Sequence, residues 1–523
     1  MTPYEAFQLL TPEIALGSIA FLVLMFDLLF LRKDSVEHRH RVVGVTVFAG
    51  LAVVACLYFL QLADAEPRSL GNGAYVVSRL NTFFKFVVIG LTFLTVLIGL
   101  ETPYSSHVGE YYSLLLFSTL GMVFLISSED LLMIFISLEL ISLALYALTG
   151  FQKGARRSAE GGLKYFIFGG LSAAFLLFGL SYIFGATGHT GLKDIAVALS
   201  ANHQAPFPGL VLQIGILFSL VGLGFKIAAA PFHLWAPDAY EGAPTPVAAL
   251  IATGSKVASF VALTKFLLGS LLSVSGTVVA GPSSAHAGWA VTVAAIAVLS
   301  MVVGNLAAIA QTNVKRLLAY SSVAHAGYIL VAMVAISAGG VPSRLSIPAI
   351  YFYVLIYALT NIGAFGVVNT IASQTGGDSF EHFTGAAQRA PFLSLLMLIF
   401  MLSLAGIPPL AGFFGKFYLF ASAVQADPQN LGLLWLVSLA IAMSAVSLYY
   451  YLKLTKQMYV LVPLNPTRLH CCPTLTATLG VIGLAVVLFG VFPNRLVDIF
   501  GKLSDQSVTI SAPAKPIHTA LNR

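Results

Sequence analysis

The chain has 523 residues, of which 58% are hydrophobic and only 9% charged, with a formal net charge of +6. Soluble globular domains carry roughly 25% charged residues, so this composition excludes one and fits a polytopic membrane protein. The positive balance then reports loop asymmetry across a bilayer, not an affinity for nucleic acid. Three cysteines, Cys56, Cys471 and Cys472, show no metal-binding spacing and are read as structural.

Apolar runs of roughly 17–25 residues, bounded by polar or Pro/Gly punctuation, predict the helices. They fall near 12–31, 42–62, 80–100, 111–127, 130–151, 161–185, 208–229, 244–269, 288–310, 316–338, 346–372, 391–424, 431–456 and 474–494. The first run follows Glu5 and Glu13, not a basic segment, so it reads as a span and not as a cleavable signal. The loops near 63–79 and 186–207 are too short for soluble domains, and the polar tail from Arg495 is expected on the surface.

Basic residues orient the chain. One set of alternate loops holds Arg32, Lys33, Arg39, Arg41, Lys153, Arg156, Arg157, Lys315, Arg316, Arg389, Lys453, Lys456 and Arg468. The other holds only Arg68, Arg79, Lys193 and Arg344. The rich set is expected in the cytoplasm, which puts both termini on the outer, periplasmic side.

The stretch Leu220 to Phe260 organises the rest. Two apolar runs flank a break containing Pro231, Pro237, Pro244 and Pro246. Each run carries a lysine, Lys226 and Lys256, and an ammonium at mid-membrane costs about 2.5–3.5 kcal/mol on insertion scales. Lys85 and Lys265, near helix ends, are read as snorkelling to the headgroups. Lys164, one turn into its helix, is open between snorkelling and function. Lys416 sits mid-helix and is a functional candidate. Glu139 is a lone carboxylate among apolar turns, which must protonate or find a cation. Asp27 is expected as an interface anchor. Glu129 and Asp130 follow two serines and read as a helix cap.

An internal repeat is also visible. LLMIFISLELISLAL from Leu131 overlays LLAYSSVAHAGYILV from Leu317, setting Glu139 on His325. The break near Lys226 has a counterpart in SLAGIPPLAGFFGKFYLF, where Pro408 and Pro409 precede Lys416. One interrupted apolar segment in each half is the mark of repeated transporters with midplane sites.

PFHLWAPDAYEGAPTPVAALIATGSKVASF resembles the signature of the antiporter-like proton-translocating subunits of respiratory complex I, relatives of multisubunit cation/proton antiporters. The resemblance implies an all-α polytopic fold of about fourteen helices with two inverted five-helix repeats, helices seven and twelve being broken. On it, 1–523 is one membrane domain. Residues 1–110 hold three N-terminal helices, 111–270 the first repeat, 288–460 the second, and 474–523 the last helix and tail. The family's polar axis maps onto Glu139, Lys226, Lys256, His325 and Lys416, with Lys164 similar to the sixth-helix lysine and His233 a possible accessory. The lysine at 416 is similar to the third member of the family. The counterpart in the photosynthetic complex I-like enzyme is the close alternative.

Burial disfavours an ammonium and a nearby carboxylate favours it, so Glu139 beside Lys226 would hold a proton there. Imidazole titrates near neutrality, which suits His325 to a mid-relay role, with a satisfied packing histidine as the minor alternative. The resemblance implies no cofactor in this chain. NADH, FMN, iron–sulfur clusters and quinone are expected in partner subunits. The implied partners are other complex I membrane subunits, including neighbouring antiporter-like ones, together with the lipid of a bacterial inner membrane. A cation/proton antiporter component and a scaffold whose lysines only pair with neighbours are the competing readings.

Overall fold

The computed structural model describes residues 2–63, 67–100, 102–201, 209–276, 278, 288–338, 345–427, 431–463, 467–470 and 472–508. In chain order the membrane helices are α1 (Thr11–Leu31), α2 (Val36–Ala63), α3 (Arg79–Gly99), α4 (Val108–Ser127), α5 (Leu131–Thr149), α6 (Arg156–Thr187), α7 (Leu210–Lys226), α8 (Ala236–Gly242), α9 (Thr245–Ser270), α10 (Trp289–Ile309), α11 (Val314–Ala338), α12 (Ser346–Thr375), α13 (Pro391–Ala405), α14 (Ala411–Ala426), α15 (Leu434–Tyr459) and α16 (Pro473–Val491). Twelve of them are long and apolar enough to cross a bilayer. The apolar helices α7 and α13 are shorter, and each is followed across a break by α8 and α14. The expected fourteen is reached only by counting these two broken helices as crossings. A hairpin of β1 (Arg68–Leu70) and β2 (Tyr75–Val77) is the one sheet among the described residues.

Local chemistry sets the helix starts. Ser78 Oγ accepts the Asn81 N–H at 3.2 Å to open α3. Asp130 Oδ1 accepts from the Leu132 and Met133 N–H groups at 2.8 and 3.3 Å to open α5, as the sequence predicted. Pro246, Pro391 and Pro473 lie in first turns, where no intrahelical donor is lost. The apolar stretch of α9 is wholly buried, and α11 and α12 nearly so. Around them α1, α2, α6 and α16 expose Phe21, Leu22, Phe59, Phe166, Ile167 and Val481, the surface a bilayer covers. Most polar residues on the three central helices therefore lie inside protein, away from lipid.

Several sequence expectations change here. Lys85 does not snorkel: it is fully buried and its Nζ donates to Glu13 Oε1 at 3.0 Å and Tyr75 Oη at 2.7 Å. Lys265 does not either, since it pairs with Glu129 at 3.0 Å and donates to the Ile126 carbonyl at 2.7 Å. Both partners come from distant segments, so position within the helix misled. Asp27 is buried and not an interface anchor; it takes two bonds from Arg39, at 2.9 and 2.5 Å, and one from the Gly109 N–H at 2.9 Å. The tail from Arg495 is not only a polar surface segment. Its part up to Val508 lies within a helix, Pro493–Val508, whose Phe500 is buried and stacks on Phe84 with centroids 5.9 Å apart. Cys471, Arg344 and the tail beyond 508 lie outside the described residues.

Candidate proton pathway

Helix α7 ends on Lys226 because the backbone leaves the helix there: Ala228 takes a φ of 55° and Pro231 cannot donate. The amides and carbonyls of the break find protein partners. Trp235 Nε1 donates to the Phe225 carbonyl at 3.2 Å, and the Ala230 N–H donates to Ser300 Oγ at 2.8 Å. Lys226 is buried, its Nζ donates to Ser142 Oγ of α5, and it lies 5.7 Å from the Tyr146 ring centroid. Glu139 sits three residues before Ser142, on the same face of α5. It is half-buried, and the structure shows no ion pair between it and Lys226. In place of the expected direct contact, Lys226 donates to a serine one turn from Glu139 on α5.

Helix α9 is interrupted at Thr253, and Lys256 follows within one turn. Its Nζ donates to the Ser322 carbonyl at 2.9 Å and to Ser322 Oγ at 2.8 Å, both on α11. His325 lies one turn further along α11. Its Nδ1 meets Tyr353 Oη at 2.6 Å and its Nε2 meets Tyr451 Oη at 3.0 Å. Tyr451 Oη is also 2.5 Å from Ser321 Oγ. Both ring nitrogens therefore face hydroxyls, which can donate or accept.

The second break runs from α13 to α14. Lys416 is buried in α14, and its Nζ reaches back across the break to the Ala405 carbonyl at 3.0 Å and sideways to Ser444 Oγ at 2.8 Å.

Two tyrosine rings fill the spaces between these bases. Tyr357 has its ring 5.7 Å from Lys256 Nζ and 5.2 Å from the His325 ring, and its hydroxyl is buried without a hydrogen-bond partner. Tyr328 has its ring 5.6 Å from the His325 ring and 4.9 Å from Lys416 Nζ. The structure thus brings Lys256, His325 and Lys416 into one buried line. Lys226 and Glu139 stand at its α5–α7 end, with no hydrogen bond between Lys226 and Lys256.

Lys164 is not in that line. It is partly exposed and pairs with Glu160 and with Asp238, each at 2.7 Å. Asp238 and Glu241 of α8 both accept from Arg316 of α11, at 2.5 and 2.9 Å, and Glu241 also pairs with Arg157 of α6 at 3.0 Å. Lys315 Nζ donates to the Glu241 and Ala243 carbonyls at 2.8 and 3.1 Å, where α8 ends. These charges clamp the arm beyond the first break between α6 and α11. His233, inside the break, is buried with its Nδ1 unpartnered, and its ring centroid lies 6.3 Å from that of Tyr320.

Sequence reasoning missed the tyrosines, the serines and the α8 clamp. One signal was present: Tyr353 and Tyr357 are four residues apart, and His325 and Tyr328 three, so each pair shares a helix face.

Residues 128–443 match the family described as NADH:quinone oxidoreductase/Mrp antiporter, TM. NADH-quinone oxidoreductase subunit N 2 of Acidobacterium capsulatum is 44% identical over 502 residues, covering 94% of this chain and 98% of its own length. Subunit N of Desulforamulus reducens is 38% identical, covering 94% and 97%. A chain of the respiratory complex I from Thermus thermophilus with bound Aureothin superposes with a TM-score of 0.73 at 33% identity, over 93% of this chain and 98% of that one. A chain of the Mrp complex from Dietzia sp. DQ12-45-1b shares the fold, with a TM-score of 0.78 at 18% identity, covering 94% and 97%.

Proposed function

The chain belongs to the NADH:quinone oxidoreductase/Mrp antiporter family of membrane subunits, and on that premise we propose that it carries protons for an NADH-quinone oxidoreductase along Glu139, Lys226, Lys256, His325 and Lys416. The observation that supports this most is the line of three buried bases, Lys256, His325 and Lys416, with a tyrosine ring in each gap. A buried ammonium is costly unless hydrogen-bonded, and each lysine here has only neutral acceptors. Among the described residues, none of the three is locked in an ion pair, as Lys85 is with Glu13.

Protons load at Lys226 under the influence of Glu139. Water is the natural bridge from Lys226 to Lys256. His325 then passes the proton on, since imidazole accepts at one nitrogen and donates at the other. Lys416 delivers it at the second break. The units 111–270 and 288–460 are the two halves of this path. Lys164 contributes as a positioning group, holding α8 through Asp238. NADH, FMN, iron–sulfur clusters and quinone are held by partner subunits, so this chain transports within an enzyme complex whose redox chemistry lies elsewhere. The loop carrying Lys153 faces the cytoplasm and both termini face outward.

The test is NADH-driven proton uptake into vesicles bearing the assembled complex. Lys256→Ala should abolish most of the uptake while the complex still assembles; intact uptake would refute the pathway. Cysteine at Lys153 should label from the cytoplasmic side and cysteine at Lys193 from the other. The reverse pattern would overturn the orientation.

A further inference from the structure

Away from the pathway, a cavity of about 330 Å³ lies where α1, α2, the β1–β2 hairpin and the start of α3 meet. Its wall includes Arg68, Arg79, Gln61, Thr82, Leu57 and Leu60. We propose that this cavity binds the phosphodiester headgroup of an anionic glycerophospholipid, with Arg79 as the cation that holds it.

Four observations carry this. First, Arg79 is half-buried, yet it pairs with no carboxylate among the described residues, and its Nε is buried without a partner. A guanidinium so placed lacks the anion that its desolvation calls for. Second, two more polar groups on the wall are buried and unsatisfied: Thr82 Oγ1, on a residue 1% exposed, and Gln61 Oε1. Native interiors leave few such atoms, so three around one cavity point to a missing polar guest. A hydroxyl and a guanidinium donate to phosphate oxygens, and the amide oxygen accepts from a headgroup hydroxyl. Third, the charge of the neighbouring Glu13 is matched by Lys85: its Oε1 accepts from Lys85, Tyr58 and Tyr75, while its Oε2 is buried without a partner. Fourth, the cavity opens beside apolar, exposed side chains of α2. Leu60 is 67% exposed, Phe59 is 65% exposed and Val53 lies further along the helix. Acyl chains would lie along that surface, which favours a lipid over a free anion. The volume falls within the usual range for small-ligand pockets, roughly 300–1,000 Å³.

The test uses the purified whole complex and a phosphatidylglycerol carrying a diazirine in its acyl chain. After irradiation, labelled peptides are mapped by mass spectrometry. The peptide around Leu57–Gln61 should label strongly, and Arg79→Gln should lower that label about tenfold, the equivalent of one charge-assisted bond, with other sites unchanged. Thr82→Val, which keeps the side-chain shape, should lower it less and serves if Arg79→Gln fails to assemble. Equal labelling by a diazirine phosphatidylcholine would overturn the anionic-lipid assignment. Displacement of the probe by inorganic phosphate would show a free-anion site instead. Labelling unchanged in both variants would sink the proposal.

Discussion

The two broken helices carry the same residue type on opposite sides of the same kind of break. Lys226 is the last residue before the first break, and its ammonium is held by a side chain, Ser142, on another helix. Lys416 comes after the second break, and its ammonium is tied to the backbone of the break itself, through the Ala405 carbonyl. A lysine held by one hydroxyl, on a serine that lies one turn from Glu139, is open to the influence of that carboxylate's charge. A lysine bonded to a freed carbonyl is fixed by the fold. On the proposed pathway, the first half would therefore receive an electrostatic signal and the second would terminate the path at a constant position.

The largest expected effects break the line on either side of its centre. Lys256→Ala and Lys416→Ala should each lower NADH-driven proton uptake by about 10²-fold or more, the usual contribution of a positioned proton-transfer group. Each deletion removes a buried charge, so the assembled fraction should stay near wild type on a native gel. Loss of assembly, with normal uptake in what remains, would favour a scaffold.

The next test asks whether Glu139 and Lys226 act as one device although Lys226 bonds to Ser142 and not to the acid. Glu139→Gln and Lys226→Ala should each slow uptake, and the double variant should be scarcely worse than the worse single one. Groups sharing a step behave in this way, whereas independent groups add. Additive losses would separate the acid from the lysine and dissolve the contrast between the halves.

What was legible in the sequence, and what was not, follows from distance along the chain. The lysines, Glu139 and both Pro-rich breaks stand out because charge and proline are rare in apolar helices. Their partners do not. Ser142 lies 84 residues from Lys226, and Ser322 lies 66 from Lys256. Serine and tyrosine in a membrane helix look like ordinary packing until the fold shows what they touch. The same blindness turned Lys85 into a snorkelling residue, because Glu13 lies 72 residues away. Asp238 and Glu241 were visible as part of the PDAYEG motif, but their grip on Lys164, Arg157 and Arg316 depends on three helices meeting.

Tyr357→Phe has a smaller expected effect that separates relay from packing. The ring stays against Lys256 and His325, and only an unpartnered hydroxyl is lost. Removing a buried unsatisfied polar group is neutral or stabilising by up to about 1–3 kcal/mol. Thermal stability of the complex should therefore hold or rise. Uptake should fall several-fold if the hydroxyl hands protons between the two bases, and unchanged uptake would leave the ring as filler.

The smallest effects come from the two serines, and they sharpen the comparison most. Ser142 is the only hydrogen-bond acceptor the structure gives Lys226 among the described residues, whereas Ser444 is one of two for Lys416. In Ser142→Ala the ammonium loses its acceptor, and an unmade bond to a buried polar group costs about 1–3 kcal/mol, more when it is charged. In Ser444→Ala the Ala405 carbonyl still receives the ammonium, so the loss is that of one net hydrogen bond, about 0.5–1.5 kcal/mol. Uptake should thus fall further in Ser142→Ala than in Ser444→Ala. Glu139→Gln placed on top of Ser142→Ala should add little, since the lysine through which the acid acts is already released. Combined with Ser444→Ala, the same change should add its full loss, because the second lysine does not depend on that acid. Equal single effects, or full additivity with both serine variants, would mean that the two breaks hold their lysines in the same way.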